Sequence, residues 1–209
     1  MINVLLITFV ITLLYISIAN RLLTYVKILA FQGILLFGVA FIELIEINPV
    51  NLAFILLETI IVKTVAIPMF LTHVIKKNRI TREAEPFVPN FVSLIIVTII
   101  IIVTFLISNS IADTHLDKIY FVVALVALFS GLYIIISRKK IITHVIAYVI
   151  IENGVFILSL AVGNEMPMLV NLGILLDIFV SVFLLGIFIN KVGDVVKDID
   201  ITQLSNLKD

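Results

Sequence analysis

The stretch Ile141–Gly163, IITHVIAYVIIENGVFILSLAVG, decides how this chain is read. It runs for 23 residues with few polar interruptions, long enough at 1.5 Å per residue to cross a hydrocarbon core of about 30 Å. Glu152 is the twelfth of those residues and so stands near the membrane midplane. A charge there costs at least ~2.5–3.5 kcal/mol, which asks for a functional reason. Working outward, comparable runs fall at 2–19, 24–45, 50–75, 91–108, 119–137 and 167–190, making seven in all. The whole chain is 62% apolar and 13% charged, against ~45–50% and ~25% in a soluble domain. The reading is an all-α polytopic membrane protein, and soluble enzyme folds are excluded.

The rarer residues narrow the chemistry. With no cysteine, the chain can hold no iron–sulfur cluster, thiolate metal site or disulfide of its own. His73, His115 and His144 have no metal-ligand spacing. A bis-histidine haem on His73 and His144 has nothing else in its favour, and interfacial histidines are common. There is no Gly-rich phosphate loop. Fourteen basic residues balance fourteen acidic ones, so no basic surface points to nucleic acid.

Turn chemistry divides the chain into a first three-helix unit (1–75), a basic loop with a linking helix (76–118), a second three-helix unit (119–192) and a polar tail (193–209). The first segment has Ser17-Ile18-Ala19 where a signal peptide would be cleaved. It lacks a basic start, however, and its apolar run is too long, so a retained helix is expected. Twelve of the 14 basic residues fall on one side of the membrane, Lys118 falls on the other and Lys63 lies within a helix. That asymmetry places the N-terminus outside and the tail in the cytoplasm. A weak repeat relates Gln32-Gly33 to Asn153-Gly154, Val50-Asn51-Leu52 to Val170-Asn171-Leu172 and Glu58 to Asp177, at offsets of 121, 120 and 119. Helices 1–3 and 5–7 would then be parallel copies; chance likeness among apolar helices is the competing explanation.

Four charged residues lie well inside the segments: Glu58, Lys63, Glu152 and Asp177. Glu152 and Asp177 are equidistant from the turn Gly163–Pro167, so an antiparallel hairpin brings them level. Two carboxylates sharing a low-dielectric site resist ionising together, and such a pair suits a proton relay. The plain alternative is a pair of acids locking a neighbouring subunit. His144, Tyr148 and Glu152 follow at i, i+4, i+8, a stripe of about 12 Å from the basic end to the midplane. It reads as a proton half-path, or equally as an interfacial His and a packed Tyr. Glu58 and Lys63, five apart, would sit about 140° apart on an α-helix and face different partners. Lys63 is level with Gln32-Gly33; it either carries protons or serves as a fixed counter-charge to an acid on this or another chain. Pro68 should bend its helix. Glu43 and Glu46 belong to a wetted rim.

The stretch AYVIIENGVFILSLAV, the following LGILLDIFVSVFLLGIFINKV, the closing NLK and VKTVAIPMFLTHVI in the third segment closely resemble the membrane component E of hydrogenase-4-type formate hydrogenlyase complexes. The resemblance covers essentially the whole chain, and its most specific parts are Glu152-Asn153-Gly154 and Asp177. Segments 5–7 are in turn similar to the small three-helix subunit K (4L) of NADH:quinone oxidoreductase, which carries one intramembrane glutamate on each of its second and third helices. Glu152 corresponds to the first and Asp177, one methylene shorter, to the second. In the first repeat Gln32 takes the place of the first acid and Glu58 that of the second.

The resemblance implies a multi-pass subunit of the cytoplasmic membrane that neither binds substrate nor passes electrons. It would contribute to proton translocation in a complex I-like oxidoreductase. A nickel–iron centre and iron–sulfur clusters would belong to partner subunits, and antiporter-like subunits would be neighbours in the membrane arm. Relatives of the small subunit occur in multi-subunit cation/proton antiporters, which supply a second reading. A third is a scaffold whose buried charges only lock subunits together. Neighbouring genes would separate the first two.

Overall fold

A computed structural model describes residues 1–43, 53, 56–77, 86–111 and 117–161. The seventh segment with Asp177, the tail, His115 and most of the basic loop lie outside the described residues. Six helices follow in order: α1 (Ile2–Ile18), α2 (Leu22–Glu43), α3, which is π-helical over Glu58–Ala66 and α-helical over Ile67–Lys77, α4 (Asn90–Ser110), α5 (Lys118–Ser137) and α6 (Ile141–Ala161). Turn chemistry sets their ends. The Asp117 carboxylate accepts from the backbone N–H groups of Ile119 and Tyr120 and caps α5. The Asp117 N–H in turn reaches the Ala161 carbonyl at 3.0 Å, tying the start of α5 to the end of α6.

Among the described residues the protein is helical, apart from an isolated pairing of Pro86 with Arg138. Five of the helices among the described residues are long and apolar enough to cross a membrane. The sixth, Ile2–Ile18, is an apolar helix of 17 residues. The distribution of side chains on α4 fits that setting. Phe91, Ile95, Ile99, Ile102, Phe105 and Leu106 point outward, while Ser93, Val97, Thr104 and Ser108 are buried. Water would make that arrangement costly; against lipid tails it is favourable, and the small residues let neighbouring helices approach. This is a multi-pass helical membrane protein.

α1, α2, α5 and α6 form the centre. α1 lies against α2, α4 and α5, α2 lies against α3 and α6, and α5 and α6 make the most extensive contact. Glycine makes that last contact close. A Cβ on Gly154 would stand 3.0 Å from the Leu128 nitrogen and 3.1 Å from the Ala124 carbonyl, and one on Gly131 3.0 Å from the Ala147 carbonyl. At one end of the bundle the connections are knitted together. The Phe87 N–H donates to the Ser137 carbonyl at 2.8 Å, and the Asn90 amide donates to Asn20 Oδ1 at 2.9 Å.

Candidate functional site

α3 changes its winding just before Pro68. Proline has no N–H to give the Thr64 carbonyl, and its ring crowds that oxygen. The preceding nine residues, Glu58–Ala66, take the wider i→i+5 turn, and the Ile67 N–H reaches back to the Val62 carbonyl. The expectation that Glu58 and Lys63 lie about 140° apart assumed α-helical winding. The wider π-helical winding turns less per residue, so positions five apart fall closer round the helix than that, though not one above the other. The Glu58 side chain itself lies outside the described residues.

Gly33 of α2 lets this segment come close: a Cβ there would stand 2.9 Å from the Thr64 nitrogen and 3.0 Å from the Lys63 carbonyl carbon. Lys63 is thus level with Gln32-Gly33, as the turn arithmetic expected. Its ammonium lies 2.7 Å from Glu152 Oε1 on α6, with the two side chains only 3% and 6% exposed. The same ammonium stands 4.4 Å above the centre of the Phe156 ring, one helical turn further along α6. Of the partners left open for Lys63, the structure brings it to an acid of its own chain. The Glu152–Asp177 pairing concerns a residue outside the described set.

Beside the ion pair runs a buried chain of neutral polar groups. The Asn153 amide donates to Gln32 Oε1 at 3.2 Å, the Gln32 amide donates to Thr12 Oγ1 at 2.8 Å, and the Thr12 hydroxyl donates to the Phe9 carbonyl at 2.6 Å. Every donor points the same way, from α6 through α2 to α1. Acceptor capacity is left over. Among the described residues, Glu152 Oε2 and Asn153 Oδ1 have no hydrogen-bond partner, and neither does Ser130 Oγ on α5. The buried Glu152 and Asn153 oxygens can each accept a proton or another donor. An amine and a carboxylate in contact are also the two groups between which a proton can pass without water.

The stripe of His144, Tyr148 and Glu152 lies along α6 as expected, but its members are held differently. His144 Nδ1 meets the Lys140 carbonyl at 2.9 Å. A carbonyl only accepts, so Nδ1 is the donor in this contact. His144 is half-buried, and Tyr148 is half-buried against the apolar core. His73, on α3, is exposed.

Two positions escaped the sequence reading. Thr12 looked like one more residue of an apolar helix. Arg138 was counted as a loop charge, yet it is 1% exposed. Its Nη2 donates to the Ser17 carbonyl at 2.6 Å, and its guanidinium lies over the Tyr25 ring at 5.9 Å. It satisfies a carbonyl of the last turn of α1, where no intrahelical donor exists and the helix dipole favours a cation. The Tyr25 hydroxyl does the same for the Ala19 carbonyl at 3.0 Å.

Over 191 residues, covering 88% of this chain and 85% of the relative, the sequence is 23% identical to an uncharacterised protein of Mycobacterium tuberculosis. No protein-family model matches the chain. No solved structure matches it.

Proposed function

We propose that this chain is a membrane-arm subunit of a hydrogenase- or complex I-like oxidoreductase, in which Lys63 and Glu152 form one station of a proton path. The observation that carries this reading is the Lys63–Glu152 contact at 2.7 Å, closed off from solvent within the helical bundle. Packing alone is achieved more cheaply by apolar side chains, because desolvating two ions costs several kcal/mol each. The resemblance to component E and to subunit K supports the assembly. Asp177, Glu58, His144 and Tyr148 belong to the same proposed path. The nickel–iron centre and iron–sulfur clusters belong to partner subunits on this reading.

The proposed topology has seven crossings, N-out and C-in. A reporter fused after Asp209 should be active only as a cytoplasmic one, and a reporter near His115 only as an external one. The parallel repeat is part of the proposal. Two hydrogen bonds, Asn153 to Gln32 and Arg138 to Ser17, both join positions 121 apart. Residues related by a two-fold axis meet where that axis passes, as these pairs would.

The deciding experiment is co-purification from membranes in mild detergent, with proton-coupled turnover normalised to assembled complex. An antiporter-like subunit and a peripheral redox arm should accompany the chain. Lys63→Gln and Glu152→Gln should each abolish coupling in complexes that still assemble. Full coupling with both changed would favour the scaffold, for which the direct ion contact is also suited. Recovery with antiporter subunits and no redox arm would favour the cation/proton antiporter.

A further inference from the structure

We infer that Phe156 is a positioning residue for Lys63, its ring holding the ammonium against Glu152; this rests on reading the pair as a proton station. Lys63 is carried by a π-helical turn and reaches α6 on a long, flexible stem. Rotamer freedom of that kind lets an ammonium swing away from its acid. On α6, Glu152 and Phe156 are four residues apart and therefore stacked on one face. The carboxylate holds the ammonium at 2.7 Å from one direction, and the ring offers its negative face at 4.4 Å from one turn further along. A cation over an aromatic face is attracted by the ring quadrupole, and more strongly in a desolvated site. Phe156 thus does what an aliphatic side chain of similar bulk could not, because attraction to the ring depends on the charge.

That dependence separates positioning from filling. Phe156→Met keeps an apolar side chain of similar reach and removes the ring, whereas Phe156→Tyr keeps the ring. In assembled complex, the methionine variant should lower proton-coupled turnover about tenfold, and the tyrosine variant should restore most of the loss. Equal turnover in the two variants, whether high or low, would overturn the inference.

A second measurement stands apart from turnover. Unfolding of the full chain in mixed detergent should be shifted about tenfold by Phe156→Met when residue 63 is lysine, and less than twofold in a Lys63→Gln background. Equal shifts in both backgrounds would mean that the ring merely fills space. Should Lys63→Gln and Glu152→Gln leave turnover intact while this coupling is found, the proton reading fails and the aromatic clamp stands. Should turnover be lost with no coupling, the clamp fails alone.

Discussion

Gly33 and Thr64 touch backbone to backbone: a methyl group on the glycine would stand 2.9 Å from the Thr64 nitrogen and 2.5 Å from its hydroxyl oxygen. The hydroxyl can rotate away only by giving up its bond to the Thr59 carbonyl at 2.8 Å, and the nitrogen is fixed in the backbone. This approach sets the distance between α2 and the turn that carries Lys63. Gly33→Ala should therefore destabilise the chain by about 1–3 kcal/mol through overpacking and push Lys63 from Glu152, lowering turnover as well. Thr64→Ala should not rescue it, because the backbone clash remains. Thermal unfolding in detergent and turnover of assembled complex would check both points; rescue by Thr64→Ala would show the side chain to be the obstacle.

Breaking the buried ion pair should be worse than removing it. Lys63→Met or Glu152→Leu leaves one charge uncompensated in an apolar bundle, costing about 3–5 kcal/mol. The double variant should regain most of that stability, while coupled turnover stays lost. Unfolding midpoints of the four proteins supply the test, and single-variant losses that simply add would contradict it.

The amide contact between Asn153 and Gln32 should couple those positions. Asn153→Ala leaves Gln32 Oε1 buried and unsatisfied, a cost of about 1–3 kcal/mol. Gln32→Ala takes the acceptor from the Asn153 amide, while the Thr12 hydroxyl loses a donor but keeps its own bond to the Phe9 carbonyl. The double variant should cost less than the two singles together by about 0.5–1.5 kcal/mol. A coupling energy of zero would mean that the two amides are held independently.

Arg138→Met should be destabilising although the residue lies in a turn. It removes the donor to the Ser17 carbonyl, a hydrogen bond from a charged group worth about 1.5–3 kcal/mol. Arg138→Lys should recover only part of this, since an ammonium cannot lie flat on the Tyr25 ring while reaching that carbonyl. Limited proteolysis of the Pro86–Asn90 and Ser137–Lys140 connections, together with melting, would measure the loosening.

The helices were largely legible because their ends are written in local chemistry. Expected segments 2–19 and 141–163 correspond to Ile2–Ile18 and Ile141–Ala161. The presence of Lys63 and Glu152 in the membrane was equally plain. Their contact was not, since reflecting positions across a turn pairs only consecutive helices, and α3 and α6 are separated in the chain by two others. The π-helical winding was hidden for a related reason: angular arithmetic assumes 100° per residue, and Pro68 signalled a disturbance without its kind. Arg138 lies in the expected turn, but its burial was hidden, because counting charges by side says nothing of what each one touches.

Along α4 the usual rule of protein evolution should run backwards. Its outward Ile99, Ile102 and Phe105 are exposed; lipid tails have no fixed shape to match, so against them one branched or aromatic side chain serves about as well as another. Ser93, inside, accepts from the Tyr133 hydroxyl at 2.8 Å, and Thr104 fills a place sized for a small side chain. In a saturation library of this helix, the large apolar positions would be the tolerant ones. The small hydroxylated positions would be the places where almost nothing else survives.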